Sequence, residues 1–462
     1  MKLIVTILEE THASALAAIR MVEGEHDGVE LRAENLGVLD LAAVRKAVAG
    51  ILILTHRGRH VDERTITDAL EAGVDLVDVE YHDALDGDLV RRYAERIVLS
   101  HHDYEETPDV DSLLARMQVF GSVHTKIAVT PHSFRDNQRI LETMRSHGQE
   151  GVTLIGMGAR GLYSRIAAPF FGSKLQFVAP RQERSAAPGQ LTLDIALQIY
   201  GDRRTLPQLP QLFAVVGNPA GHSLSPTIHN PLFREAGVAA AYTICDTDSF
   251  DDIVWPFAAG AKLAPAGLSI TAPFKDEAFA FAKKRGATIG ANALESSAVN
   301  TLVRISDREM LADNTDVDGF ESILEHICGR DRKSVAVLGA GGTARAALVA
   351  LRRAGMHVTL FNRSLENARL IHERVEPLDA ITRFDGEVVV NTLPAAAPVD
   401  FRLRPGMAYI EAAYGPAVVD REALEGVAYF DGIDLLLAQA VRQNALFLCA
   451  CMAHAAGDGR DN

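Results

Sequence analysis

Short runs of apolar residues recur at regular intervals through the first part of the chain, and they predict β-strands. Between most of them lie stretches rich in Ala and Leu with a helical period, such as His12–Met21, Leu41–Ala49 and Asp111–Phe120. Eight strand–helix units within roughly 200 residues predict a (β/α)₈ barrel over residues 1–203. The predicted strands are Leu3–Leu8, Val29–Ala33, Ile51–Thr55, Leu76–Tyr81, Ile97–Ser100, Lys126–Thr130, Thr153–Gly156 and Leu175–Ala179.

The pattern breaks at GDRRTLPQLPQ, whose two prolines predict a linker, placed at residues 204–211. A new strand begins at FAVVGN. We expect a second α/β domain over residues 212–315, completed by a C-terminal helix at 435–455. A third domain, over residues 316–434, contains the most regular glycine pattern of the chain. The overall expectation is therefore α/β, with three domains.

That glycine pattern is VAVLGAGGTARAAL (335–348), which predicts a strand, a tight turn and a helix. Gly339, Gly341 and Ala344 fit the G-x-G-x-x-A fingerprint of a dinucleotide-binding βαβ unit, and Gly342 lies in the same turn. The first glycine permits the turn, the second lets the backbone approach a pyrophosphate, and the small third residue allows close helix packing. A glycine-rich turn of another α/β protein is the alternative.

The next predicted strand, VTLFNRS, distinguishes the two dinucleotides. An acidic residue at its end would suit the free 2′-hydroxyl of NAD. Asn362, Arg363 and Ser364 stand there instead, and a guanidinium suits a 2′-phosphate. The sequence therefore predicts a Rossmann domain that binds NADP.

Composition excludes several classes of partner. The net charge of −15 argues against nucleic acid and anionic membranes. Four cysteines (Cys245, Cys328, Cys449, Cys451) are too few for a disulfide scaffold or a zinc site, and the last two are expected in a helical core. The start, MKLIVTILEE, turns acidic too early for a signal peptide, and we expect no membrane-spanning run. These features favour a cytoplasmic location.

Polar residues collect at the ends of the barrel's predicted strands, where barrel chemistry belongs. Lys126 lies in the apolar TKIAVT, and a desolvated neutral amine can attack a ketone to form an imine. A nearby histidine could move the acidified proton. Alternatives are a strand-end lysine, structural ion pairs, or a metal site. The residues concerned are Glu30, Arg32, Arg57, Glu80, His101, His102, Asp103, Lys126, Arg165 and Gln190.

Five segments over residues 1–200 resemble type I 3-dehydroquinate dehydratases: VELRAE, LSHHDYEETP, KIAVTP, YSRIAAPFFGSKLQF and SAAPGQL. The resemblance implies that Lys126 forms a Schiff base with dehydroquinate and that His102 transfers protons. It implies no metal. It further implies that the substrate's carboxylate and hydroxyls are held by Glu30, Arg32, Arg57, Arg165 and Gln190, with Arg165 the best candidate for the carboxylate.

Two positions depart from that family. A glutamate is usual four residues after the strand-three arginine, and Val61 stands there; Glu63 could substitute if the loop shifts. A serine is usual in the last loop, where Ala186 stands beside Ser185. An impaired barrel that binds a metabolite without turning it over is therefore the alternative function for this half.

The second half also carries candidate chemistry. In GNPAGHSLSPTIHN, Ser223 and Ser225 precede Pro226 at a predicted helix start, where hydroxyls and free N–H groups suit either a carboxylate or a simple cap. Lys275 follows an apolar strand, and Asp316 lies in LADNTDVDG. A lysine and an aspartate facing one hydroxyl can relay a proton in alcohol–ketone interconversion, although a structural ion pair is the alternative.

Residues 212–455 resemble shikimate dehydrogenase in these segments. The resemblance implies Ser223 and Ser225 on the substrate carboxylate and Lys275 with Asp316 as the catalytic pair. Small departures are Ser269, Ala312 and Glu411. The remaining implied contacts are Thr271, Asn300 and Gln439 on ring hydroxyls, Tyr414 near substrate and nicotinamide, and Asn391, Thr392, Leu393 and Gly432 at the cofactor.

Both resemblances concern successive reactions on one ring. Together they imply a bifunctional shikimate-pathway enzyme of aromatic amino acid biosynthesis. It would dehydrate 3-dehydroquinate to 3-dehydroshikimate and reduce that ketone with NADPH to shikimate. The expected partners are these small molecules. The sequence leaves channelling, oligomeric state and domain orientation open.

Overall fold

The computed structural model describes the chain except residues 23–24, 35, 37–38, 58–60, 83–84, 149, 307, 328–333, 395–400, 415–423 and 459–462, and the side chains of 454–458. The described residues form two compact units, 1–265 and 266–462. Part of the RGRHVDE segment and Cys328 lie outside the described residues, so nothing is assigned to them.

The first unit begins with the predicted barrel. Its eight strands pair in parallel in the order β7-β6-β5-β4-β3-β2-β1-β8, and the N–H of Lys174 donates to the carbonyl of Val152 (3.2 Å) where β7 and β8 face each other. The prediction of eight strands is confirmed, with each end within two residues. The strands are β1 (Lys2–Leu8), β2 (Gly28–Arg32), β3 (Ile51–Thr55), β4 (Leu76–Glu80), β5 (Ile97–His102), β6 (His124–Val129), β7 (Val152–Gly156) and β8 (Leu175–Val178).

The barrel helices begin where the sequence supplies caps. Asp40, Asp62, Asp86 and Asp109 each accept a backbone N–H of the turn that follows, which satisfies donors that the helix leaves unpaired. The helices are α1 (His12–Met21), α2 (Leu41–Ala47), α3 (Glu63–Glu71), α4 (Gly87–Arg92), α5 (Val110–Gln118), α6 (Phe134–His147), α7 (Leu162–Ala167) and α8 (Leu193–Tyr200).

The first unit continues past the barrel with a strand–helix–strand–helix segment that packs on it. This segment comprises β9 (Gln211–Gly217), α9 (Ser225–Glu235), β10 (Ala240–Asp246) and α10 (Phe250–Ala258), and β9 and β10 pair in parallel. Thr243 in β10 donates to the Tyr163 carbonyl of α7 (2.9 Å), and the fully buried Tyr163 donates its hydroxyl to Leu263 (2.9 Å). The backbone N–H of Phe134 donates to Asp252 (2.8 Å).

The second unit contains the Rossmann domain. Six parallel strands run in the order β17-β16-β15-β18-β19-β20, and four others in the order β11-β13-β14-β12. The elements are β11 (Gly267–Ile270), α11 (Lys275–Arg285), β12 (Thr288–Ile289), α12 (Ala291–Ser296), β13 (Thr301–Arg304), β14 (Met310–Asp313), α13 (Asp316–Ile327), β15 (Ser334–Leu338), α14 (Gly342–Arg353), β16 (His357–Asn362), α15 (Leu365–Arg369), β17 (Val375–Pro377), β18 (Val388–Asn391), β19 (Ala408–Glu411), β20 (Ala428–Phe430) and α16 (Gly432–Asp458).

The last helix, α16, corrects two expectations. Residues Gly432–Ala453 are long and apolar enough, by length and composition, to span a bilayer, although the sequence suggested no such run. The helix packs along α13, and 56% of its apolar window is buried, which is typical of a core helix. Cys451 is buried, and burial raises the pKa of its thiol to about 11; Cys449, expected in the core, is exposed.

Candidate active sites

Lys126 lies inside the barrel between two carboxylates. Its side chain is only 4% exposed, and its Nζ lies 2.8 Å from Asp78 Oδ2 and 3.1 Å from Glu30 Oε1. The ring of Phe177 lies 4.1 Å from the same nitrogen. The sequence suggested a strand-end lysine as the alternative, but an amine so enclosed does not reach solvent. Burying an ammonium group without partners would be very costly, and the two carboxylates offset this cost.

His102 is held beside this lysine by Glu80. Glu80 accepts the backbone N–H of His102 (2.8 Å) and lies 2.9 Å from its ring Nδ1. The pKa of His102 is lowered to about 4, mainly by burial. The hydrogen bond to Glu80 raises this pKa, but burial outweighs it. The charges of Arg57 and Lys126 lower the pKa further. The imidazole is therefore neutral at physiological pH. Its Nδ1 faces both the Glu80 carboxylate and the Arg57 guanidinium. In the tautomer that carries a proton on Nδ1 and donates it to Glu80, Nε2 can accept a proton.

Glu30 connects the lysine to other predicted binding residues. Thr6 donates to Glu30 (2.8 Å), and Gln190 donates to Thr6 (3.2 Å). Burial raises the pKa of Glu30, but the charges of Lys126, Arg57 and Arg32 outweigh it and lower this pKa to about 2. The structure thus brings Glu30, Gln190, Arg57 and Lys126 into one network of contacts and charges.

Arg32 and Arg165 are held differently. Arg32 pairs with Glu34. Arg165 is 4% exposed in α7, where it donates to the Pro188 carbonyl (3.4 Å) and its Nε has no partner among the described residues. Burial lowers the pKa of this guanidinium to about 10. A buried cation without a described carboxylate partner is suited to an anionic ligand.

The positions that depart from the dehydratase pattern differ in their burial and in their hydrogen bonds. Val61 is 5% exposed. Glu63 starts α3 on the surface, where it pairs with Arg92 (2.5 Å). The backbone N–H of Ala186 donates to the side-chain oxygen of Gln190 (2.8 Å), and Ser185 donates to the Ala187 carbonyl (2.7 Å).

The metal site suggested as an alternative is not supported by the geometry. His101 and His102 are neighbours on β5, so their side chains point to opposite faces. His101 faces the ring of Tyr81 (centroids 6.3 Å apart), whereas His102 faces Glu80. Asp103 accepts the backbone N–H groups of Glu105 and Glu106. Within the described residues, no group of three or more His, Cys, Asp or Glu could hold a metal.

A second lysine–carboxylate pair lies in the second unit. Lys275 Nζ is 2.5 Å from Asp316 Oδ2, and both side chains are just over a tenth exposed. Asp316 is the first residue of α13, where the helix dipole favours a carboxylate. Asn300 donates to the other oxygen of Asp316 (2.8 Å). The predicted catalytic pair and Asn300 therefore do lie together.

Other predicted dehydrogenase residues surround this pair. Thr315 accepts from Asn300 (3.0 Å) and donates to Gln439 (2.8 Å), which brings Gln439 of α16 into the same network. Ser269 donates to Gln443 (2.7 Å), a residue that sequence analysis did not single out. Thr271 and Tyr414 are both partly exposed.

Ser223 and Ser225 lie at the start of α9 in the first unit. Their hydroxyls are 3.2 Å apart, and Ser223 accepts the backbone N–H of Ser225 (3.3 Å). Neither serine occupies the N-cap position, which is Leu224. Asp246, missed from the sequence, fixes the loop by accepting the N–H groups of Ala220 and Gly221 (2.6 and 2.9 Å).

The glycine-rich turn has the shape that its sequence predicts. Gly339 has φ +100°, and a Cβ there would lie 2.7 Å from the Thr392 hydroxyl. A Cβ on Gly341 would meet nothing within 4 Å, so the backbone there faces open space. Ala344 is fully buried against the sheet. An exposed backbone at the N-terminus of α14 fits a pyrophosphate.

The remaining cofactor candidates surround that turn in the sheet. Arg363 is exposed at the end of β16, where Asn362 donates to the Ser364 carbonyl (2.8 Å). Asn391 donates to Glu411 (2.8 Å) and accepts the N–H of Leu393 (3.1 Å). Burial raises the pKa of Glu411.

Close contact with the backbone explains why residue 432 is a glycine. A Cβ there would lie 2.3 Å from the carbonyl oxygen of Ala413 and 2.6 Å from the nitrogen of Tyr414. Only glycine lets the start of α16 approach this backbone so closely.

Two residues at the centres of these sites were missed from the sequence. Asp78 contacts Lys126, and the alternation in LVDVE could have revealed it, because residues two apart on a strand share a face and Glu80 was already a candidate. Thr343 lies 2.8 Å from Lys275 Nζ across 68 residues of sequence, and no local pattern indicates that contact.

Both halves of the chain are similar to known proteins. Residues 3–207 match the family model for type I 3-dehydroquinase, and residues 215–302 match that for the shikimate dehydrogenase substrate binding domain. A bifunctional 3-dehydroquinate dehydratase/shikimate dehydrogenase from Arabidopsis thaliana is 29% identical over 421 residues, which cover 82% of this chain and 68% of the relative.

Two further matches differ in how much they cover. A shikimate dehydrogenase (NADP(+)) from Oleidesulfovibrio alaskensis is 35% identical over 264 residues, covering 52% of this chain and 90% of the relative. A solved structure of the dehydroquinate dehydratase and shikimate dehydrogenase from S. pombe AroM has 21% identity and a TM-score of 0.40, covering 97% of this chain and 98% of that one. The first half of this chain matches the type I 3-dehydroquinase family over residues 3–207, and its second half belongs to the shikimate dehydrogenase family; a bifunctional relative joins the two in one polypeptide.

Proposed function

We propose that the barrel converts 3-dehydroquinate to 3-dehydroshikimate through an imine on Lys126. The observation that carries this proposal is the buried Lys126, with two carboxylates on its amine and a neutral histidine beside it. Attack on the ketone requires a free amine, so one proton must leave Nζ. The Asp78 carboxylate, at 2.8 Å, is nearer to Nζ than Glu30 at 3.1 Å, and we assign it to take that proton.

Lys126 and His102 provide the groups that the proposed dehydration needs. Lys126 Nζ adds to the ketone carbon, and loss of water gives the imine, which acidifies the neighbouring C–H bond. His102 removes that proton and returns it to the departing hydroxyl, so that water leaves and a double bond forms. Water then hydrolyses the imine and frees Lys126 with 3-dehydroshikimate. Glu80 keeps His102 in the tautomer that can accept the proton.

We assign the substrate carboxylate to Arg165. Its guanidinium is buried, and its Nε has no partner among the described residues. A bound carboxylate would pair with this charge and remove the cost of burying it. The ring hydroxyls are assigned to the polar side chains of the same site, namely Glu30, Arg32, Arg57 and Gln190.

The second half, in this proposal, reduces 3-dehydroshikimate to shikimate with NADPH. When bound, NADPH supplies the hydride. The open backbone at Gly341 fits the pyrophosphate, and the exposed Arg363 fits a 2′-phosphate. The other proposed contacts to the cofactor are Gly339, Gly342, Ala344, Asn362, Ser364, Asn391, Thr392, Leu393 and Gly432.

Lys275 and Asp316 supply the proton for this reduction. Asp316 holds the ammonium at 2.5 Å, and the ammonium protonates the oxygen of the former ketone. We assign the substrate carboxylate to Ser223 and Ser225 by their resemblance to the family. The ring hydroxyls and nicotinamide are assigned to Thr271, Asn300, Gln439 and Tyr414. The domain boundaries at 203, 212, 316 and 435, and the cytoplasmic location, also belong to this proposal.

One experiment tests both reactions together. The purified chain receives 3-dehydroquinate and NADPH, and the fall in NADPH absorbance is followed, with 3-dehydroshikimate added afterwards. We expect consumption from 3-dehydroquinate alone. Consumption that begins only after the second addition would contradict the dehydratase assignment.

Borohydride treatment then tests the imine directly. With 3-dehydroquinate present, it should fix a covalent adduct on the peptide that contains Lys126, as detected by mass spectrometry. The matched control is Lys126→Arg, which keeps the charge between Asp78 and Glu30 but cannot form an imine. An adduct on another lysine would refute the assignment.

A further inference from the structure

The first turn of α14 contacts Lys275 along its whole side chain. A Cβ placed on Gly342 would lie 3.0 Å from Lys275 Cδ and 3.1 Å from its Cβ, so this glycine packs against the aliphatic stem. The Thr343 hydroxyl lies 2.8 Å from Nζ. One turn of backbone, expected to bind the dinucleotide, therefore also determines where the lysine lies.

The next turn of the same helix secures the neighbouring residue. Arg345 bonds to Asp276, which follows Lys275 in α11, and its Nε donates to the Ser296 carbonyl (2.8 Å). The first contact holds the start of α11 against α14, and the second holds the end of α12 there. The position of Lys275 thus depends on α14 through both side chain and backbone.

The ammonium of Lys275 has three hydrogens to donate. Asp316 accepts one at 2.5 Å and Thr343 accepts another at 2.8 Å. Among the described residues, Lys275 makes no third hydrogen bond, so one N–H is left to point at a substrate oxygen. Two fixed acceptors determine the direction of that third N–H, because the tetrahedral nitrogen has no remaining freedom to rotate.

Helix capping does not explain Thr343. The N-cap of α14 is Gly341, and no side chain caps this helix. The Thr343 hydroxyl has one hydrogen-bond partner in the described residues, which is Lys275. Its role therefore concerns the lysine rather than the helix.

We infer that Thr343 is a positioning residue for the reduction: its hydroxyl fixes the Lys275 ammonium so that the remaining N–H points at the reacting oxygen. The inference rests on the proposed role of Lys275. By this inference, the start of α14 positions the proton donor as well as binding the dinucleotide.

The test compares Thr343→Val, which keeps the shape and removes the hydroxyl, with Thr343→Ser, which keeps the hydroxyl. We expect Thr343→Val to lower kcat for 3-dehydroshikimate reduction about tenfold, as for loss of one hydrogen bond to a charged group. The Kd for NADPH, measured by its fluorescence, should change less than about twofold. Thr343→Ser should restore most of kcat. Retained NADPH binding reports that the second unit of the variant is folded.

Three results would overturn the inference. They are an unchanged kcat in Thr343→Val, an equal loss in Thr343→Ser, or a rise in the NADPH Kd that matches the loss of kcat. A double variant adds a check: with Lys275→Met present, Thr343→Val should have no further effect. If Lys275→Met alone keeps full activity, the proposed function fails instead, so the two failures are distinguishable.

Discussion

The two lysines of this chain differ in how completely they are enclosed. Lys126 is 4% exposed and lies between two carboxylates from different strands, whereas Lys275 is 12% exposed and has one carboxylate and one hydroxyl. The barrel interior surrounds Lys126, so that its amine is accessible only to a substrate bound inside the barrel. A lysine that only passes a proton needs a defined direction and an open side.

The difference extends to the neighbouring residues. Around Lys126, removing one group leaves buried charges, because Asp78 and Glu30 are each at most 4% exposed. Around Lys275, the Asp316 side chain is 11% exposed and keeps a hydrogen bond from Asn300 when the lysine is replaced. Substitutions in the barrel therefore threaten stability as well as activity, whereas substitutions near Lys275 should affect activity alone.

The largest effect is expected from Lys126→Arg. Dehydration should fall by roughly 10⁴-fold or more, since the nucleophile is lost while the charge between the carboxylates remains. NADPH-dependent reduction of 3-dehydroshikimate should stay at the wild-type rate. Enone absorbance and NADPH absorbance measure the two reactions separately. Loss of both would show that the two sites are not independent.

Lys275→Met should reverse this pattern. Reduction should fall about a thousandfold because the proton donor is gone, and dehydration should persist. Thermal unfolding should show little destabilisation, in contrast to Lys126→Met, which strands two buried carboxylates. Comparable destabilisation by both methionine variants would break the distinction between the enclosed and the open lysine.

Arg363→Ala should have a smaller and more specific effect. The KM for NADPH should rise about tenfold to a hundredfold, because a charged contact to the 2′-phosphate is lost. The KM for NADH should hardly change. Steady-state kinetics with both dinucleotides decide the matter, and an unchanged ratio of the two values would refute the phosphate assignment.

The smallest effect is a displacement of pH dependence. The neutral His102 is the active form and its pKa is about 4, so dehydration by the free enzyme should be lost as the pH falls through that value. Glu80→Gln removes a carboxylate charge that raises this pKa, so the acidic limb of kcat/KM should move to lower pH. Arg57→Met removes a charge that lowers it, so the limb should move to higher pH.

Limbs that shift in the same direction in both variants would exclude His102 as the titrating base. The reduction reaction, measured over the same pH range, is the control, since Glu80 and Arg57 belong to the barrel and the reduction is assigned to Lys275 and Asp316. Its profile should be identical in all three proteins.

The sequence predicted the barrel well because a short apolar run between helical stretches is a local signal. Each of the eight strands reports its own burial, and the strand ends agree with the structure within two residues. The glycine turn was predictable for the same reason, since Gly339, Gly341 and Ala344 act through local backbone geometry. The joint appearance of Lys275, Asp316 and Asn300 was implied by resemblance rather than by any local pattern.

Other features depend on pairing across the chain and could not be predicted locally. Ser100 lies opposite Lys126 in the β5–β6 register, and it donates to Asp78 (2.5 Å); this network exists only once three strands are side by side. The exposure of Cys449 depends on how α16 is turned, which an almost uniformly apolar helix does not reveal. Glu63 is exposed and pairs with Arg92, a contact between two helices that no local pattern indicates.

The packing of β10 against α7 bears on how a gene of this kind can be divided. Thr243 donates to Tyr163, Tyr163 donates to Leu263, and Asp252 accepts from Phe134, so residues beyond the linker complete hydrogen bonds of the barrel's outer helices. A cut at 204–211 would leave these groups facing water on both fragments. Each separately expressed half would therefore expose part of this interface to water. Co-expression of the two pieces is the natural way to recover a functional protein.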